Sequence, residues 1–140
     1  MSTSSYGTAR GEVYVRFVVT DRDHRSDQQR GIFTVVYDLE RDDQLAPHEQ
    51  AWFRELEQWF DQNLERPDRL AWSSRPNAPK RAITWLKMSA KEHLLKMREL
   101  AALLEEKGVP VEELRTVRPG YVVYDDEHQV AAIPFPHETP

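Results

Sequence analysis

Residues 79–108, PKRAITWLKMSAKEHLLKMRELAALLEEKG, decide how the rest of the chain is read. Pro79 suits the first turn of a helix. Gly108 stands where a helix-ending glycine is expected, and Pro110 prevents continuation. Between them Ile83, Leu86, Ala90, Leu94, Met97, Ala101 and Leu104 recur at three- and four-residue spacing, the apolar stripe of one helix. The spacing predicts a single helix over 79–107. At ~1.5 Å rise per residue it would reach about 40 Å, longer than a typical strand.

Upstream, Val13, Val15 and Phe17 alternate with Glu12, Tyr14 and Arg16, so Glu12 to Thr20 reads as a half-buried strand. Asp21 to Arg30 is polar and aperiodic and reads as a mobile loop. In Gly31 to Leu39 period two places Phe33, Val35, Tyr37 and Leu39 on one face, which predicts a second strand. Pro47 then opens a helix in which Trp52, Phe53, Leu56, Trp59, Phe60 and Leu64 share an arc of roughly 140°. Residues 66–79, with Pro67, Pro76 and Pro79, read as a loop.

Downstream, Glu112 to Val117, Tyr121 to Tyr124 and Gln129 to Ile133 read as three strands of a meander. Arg118-Pro119-Gly120-Tyr121 is the turn between the first two, and Asp125-Asp126-Glu127-His128 the turn between the last two. The order ββααβββ predicts an α+β fold: an antiparallel sheet of four to five strands with two helices on one face. The expected domain spans 11–135, with flexible tails at 1–10 and 136–140.

Composition bounds the chemistry. The 140 residues contain no cysteine, which excludes a disulfide scaffold, a thiol nucleophile and a thiolate metal site. The first residues lack the apolar core of a secretion signal, and no apolar run approaches the ~20 residues of a membrane span; cytoplasm is the expected compartment. Nineteen Lys and Arg against 24 Asp and Glu give a net charge of −5, which argues against general nucleic-acid binding. The charge is uneven. Residues 40–65 hold eight acids against Arg41 and Arg54, whereas 66–87 hold six bases against Asp68.

That basic segment supplies the candidate ligand-binding residues. Lys80 and Arg81 would sit in the first turn of the predicted helix, where unpaired N–H groups and the helix dipole already attract anions. Arg75, in the preceding loop, could reach the same place. Trp85 falls off the apolar stripe, on the side of Arg81, as an aromatic contact for a ligand or partner would. The competing reading has these bases paired with the acidic helix or solvated, and Trp85 covered by the Pro-rich loop. A basic line of Lys80, Lys87, Lys91 and Arg98 lacks the interleaved aromatics of a single-strand platform.

His93, on the apolar side near Met97 and Leu100, is the weak catalytic candidate, since a general base needs an orienting partner. Asp21 to His24 and Asp125 to His128 lack recognised metal-ligand spacing and read as turns, so neither metal nor cofactor is expected. No phosphate-cradling glycine loop and no nucleophile elbow is present. The reading is a small binding or regulatory module for an anionic ligand or a partner protein. The alternative is an enzyme acting on a phosphorylated or anionic small molecule, and a third reading is a nucleic-acid-associated protein.

Overall fold

The computed structural model describes residues 12–21, 28–66 and 82–136. Strand β1 (Tyr14–Asp21) forms where alternation predicts it. It is followed by β2 (Gln28–Gly31), which covers the end of the segment read as a loop and the first residue of the expected second strand; residues 22–27 lie outside the described residues. Register runs antiparallel from Val18 opposite Gly31 to Asp21 opposite Gln28.

The predicted second strand is a helix, α1 (Ile32–Arg41). Ile32, Val35, Val36 and Leu39 also fit helical spacing. Burial decides for the helix: Ile32, Val35 and Val36 are buried while Thr34 and Tyr37 face out. Branched side chains disfavour a helix by only tenths of a kcal/mol, about what one good tertiary contact overrides. Helix α2 (Pro47–Asn63) starts at the expected proline, and the Glu49 carboxylate accepts the Ala46 N–H at 2.8 Å. It buries Phe53, Leu56 and Phe60, and leaves Trp52 and Trp59 half-buried.

The long predicted helix is two elements. Ile83–Lys87 is strand β3, residues 88–90 turn, and α3 covers Lys91–Glu106. Ile-Thr-Trp-Leu-Lys is rich in strand formers, and its Leu86 coincides by spacing with the apolar stripe of the following helix. Both periods fit that one residue, so the stripe alone could not separate them. The turn is fixed by Met88 N–H to Val13 O at 2.9 Å and Ala90 N–H to Lys87 O at 2.9 Å. The far end matches expectation: Gly108 takes φ 84° and Val109 N–H reaches back to Leu104 O at 2.9 Å.

Strands β4 (Glu112–Thr116), β5 (Tyr121–Asp125) and β6 (Gln129–Ile133) complete the chain. They are not a meander, because β4 pairs with β1; β5 and β6 form the hairpin. Between β4 and β5, Gly120 adopts φ 134°, and a Cβ there would meet Ile133 O at 2.2 Å, so only glycine fits. The protein is thus α+β, with an antiparallel sheet and, among the described residues, three helices where two were expected.

The chain groups into two compact units: 1–16, 65–94 and 115–140 in the first, 17–64 and 95–114 in the second. In the first, β3 pairs antiparallel with the start of β1 and with β6, and β6 pairs with β5. All five residues of β6 are buried. In the second, the core is aromatic. Phe33 meets Phe53 at 5.8 Å and Phe60 at 5.5 Å, and Tyr37 stands edge-on to Phe53 at 5.5 Å.

Candidate functional site

Strand register places the chemistry in the first unit. Tyr14 is opposite Lys87, Trp85 opposite Val130, and Asp125 opposite Val130 from the other side. Side chains alternate along a strand, so Tyr14, Trp85, Lys87, Val130 and Asp125 share one sheet face. Arg16, two residues after Tyr14 on the same strand, lies on the same face. Leu86, Ala131 and Gln129 face the other way.

The groups on the first face act on one another. Lys87 Nζ lies 2.7 Å from the Asp125 carboxylate. Burial pushes the ammonium's pKa down, but the hydrogen bond and charge of Asp125, with Glu12 and Tyr14, outweigh it and hold the pKa above its ordinary value. Burial, Glu12 and Asp125 together raise the Tyr14 hydroxyl. Burial lowers the Arg16 guanidinium. On the same face, the indole N–H of Trp85 is buried and, among the described residues, has no acceptor. A donor left in that state costs about 1–3 kcal/mol, which an acceptor from outside would recover.

Around the β5–β6 turn lies a second polar group. Asp126 Oδ1 accepts the backbone N–H of His128 at 2.7 Å and of Gln129 at 3.0 Å, and Oδ2 accepts the Tyr124 hydroxyl at 2.6 Å and Gln129 Nε2 at 3.0 Å. Burial pushes Asp126 up, yet these four hydrogen bonds outweigh it and hold the carboxylate below its ordinary range. Burial, with the neighbouring carboxylate, pushes the Tyr124 hydroxyl up to about 12. Gln129 is fully buried; its Nε2 also donates to Glu65 O at 2.7 Å, while among the described residues Oε1 has no donor.

His93 enters this neighbourhood from the first turn of α3. It is buried, and its ring stacks on His128 with centroids 4.3 Å apart and a 32° tilt. The two tilted rings form a packed pair in which His93 is buried and His128 half-buried. Among the described residues no group of three or more His, Asp or Glu is placed to hold a metal ion.

Comparison with family models, with curated proteins and with solved structures found no match.

Of the residues named from sequence, the structure places Trp85 and His93 in the same unit, on β3 and α3. Trp85 therefore stands on a strand and not on the helix that the single-helix reading required. Arg75, Lys80 and Arg81 lie outside the described residues. Tyr14, Arg16 and Asp125, which join Trp85 and Lys87 on one face, carry no signal readable without register. Asp126 does carry one. An Asp two residues before a turn's N–H groups favours the turn that forms here.

Proposed function

We propose that the protein is a non-catalytic binding module whose recognition element is the sheet face carrying Arg16, Trp85 and Lys87, and that its ligand presents an anionic hydrogen-bond acceptor. The indole N–H of Trp85, buried and without an acceptor among the described residues, carries this reading. Carboxylate or phosphate oxygen is the chemistry that two cations and an indole N–H on one face would recognise. Lys87 has three donors, of which Asp125 takes one.

The binding reading is favoured over catalysis by how the titratable groups of this unit are used. Asp126 fills its lone pairs with turn and side-chain donors, and His93 is buried against a second ring. A general base needs a free lone pair within reach of a substrate proton. The test is calorimetric titration of the full chain with inorganic pyrophosphate. Binding is expected for the wild type, with at least a tenfold loss (~1.4 kcal/mol) in Trp85→Phe, which keeps an apolar ring and deletes the donor. Equal affinity in the two proteins would refute a role for the indole.

A further inference from the structure

We propose that β5 is the pairing edge for a second copy of this chain, the two β5 strands running antiparallel about a twofold axis. This proposal does not require ligand binding at the Trp85 face, although Asp125, paired there with Lys87, is common to both. β5 is bonded to β6 on one side and, among the described residues, to no strand on the other. Such an edge presents unpaired N–H and C=O groups and is normally blunted. Here it is flanked by exposed apolar side chains. Val117 is 56%, Val122 48% and Tyr121 40% exposed, and Tyr37 and Leu95 are the other two large hydrophobics so placed among the described residues. Three of five in one short segment mark a contact surface rather than scatter.

Charge selects the occupant. Arg115 and Arg118 precede the strand, and Asp125, Asp126 and Glu127 end and follow it. Asp125 and Glu127 are exposed. A parallel copy would set acid beside acid. An antiparallel copy brings the basic end of each strand to the acidic end of the other, and the twofold makes that contact twice. The strand itself reads alike both ways. Setting Val122 against the second copy's Val123 sets Tyr121 against its Tyr124. The register shift between Val122 and Tyr124 leaves Val123 as an extra residue, a bulge that twists the edge. Bulge and charge together discourage unrelated strands while one self-complementary register remains favourable.

Sedimentation equilibrium of the full chain tests this. The wild-type mass should rise with concentration from 16.5 kDa toward twice that value. Val122→Lys places two ammonium groups beside the axis and should abolish the rise. Arg118→Glu should weaken association about tenfold, and adding Glu127→Arg should restore it. Circular dichroism checks each fold, and the charge swap decides the matter even if Val122→Lys does not fold. A wild type that stays monomeric overturns the proposal, whatever other strand the edge then accepts. So does a dimer that folded Val122→Lys leaves intact, or a charge swap that fails to restore it.

Discussion

Around α1 and α2 burial is almost wholly apolar, whereas around β3, β5 and β6 it is mixed with polar groups. In the helical region Phe33, Tyr37, Phe53 and Phe60 contact one another edge-on or tilted, which suits the charge distribution of aromatic rings. Polar groups there stay at the margin: Arg54 bridges Glu40 and Glu57, and the Tyr37 hydroxyl donates to Glu57. In the strand region Gln129 and His93 are buried with Asp126 and His128 half-buried against them, and among the described residues the Trp85 indole N–H and Gln129 Oε1 have no partner. Unpartnered polar atoms cost stability and are retained where something else can satisfy them. The first region is scaffold; the second is where binding is expected.

The largest effect that could break this contrast is on the scaffold. Phe53 is fully buried, and Phe53→Ala should cost about 3–5 kcal/mol in urea unfolding. Trp59 is half-buried, edge-on to Phe60 with Lys96 over its ring at 5.0 Å. Trp59→Ala should therefore cost distinctly less, although the sequence makes the two positions look equivalent. The reverse order would mean that the aromatic core is misassigned.

A middle-sized effect is expected at Asp126. Asp126→Ala strands the N–H groups of His128 and Gln129 and should cost roughly 1–3 kcal/mol. The wild-type contribution has a definite pH dependence. The folded-state pKa is depressed, so stabilisation is complete above the unfolded value near 3.8 and is lost as pH falls through the lower folded value. The wild type should lose stability faster than Asp126→Asn as pH falls through that window. Parallel pH curves would show that the carboxylate's charge does not matter to the turn.

A small effect is expected at the surface. Arg98 pairs with Glu113 at 3.0 Å, and Arg98→Ala should change stability by no more than about 1 kcal/mol because exposed pairs are screened. A larger loss, measured in the same urea series, would place this pair among the scaffold contacts.

These differences explain what could be read from sequence. Helix α2, the start of β1 and the β5–β6 hairpin were legible, because Pro47, the alternation at Val13 to Phe17 and the acidic turn are local signals. Two elements were not. Ile32 to Leu39 satisfies both periods, and burial rather than propensity makes it α1. Leu86 and Ala90 continue the stripe of α3 by coincidence, which hid β3. The site suffered most, since Trp85 could be related to Lys87 and Tyr14 only through a strand register that no local pattern encodes. Gln129 carries no sequence sign of burial at all.

In the proposed binding face the Trp85 indole N–H is a donor kept for a ligand. The direct measurement is its nitrogen–proton resonance, assigned by its loss in Trp85→Phe and followed while inorganic pyrophosphate is added. The expected result is a saturable downfield shift of that one indole signal, with Trp85→Phe losing no more than about 1 kcal/mol of stability because the deleted donor was unpaired. An indole signal that does not move, together with a Trp85→Phe protein that binds as the wild type does, would contradict it.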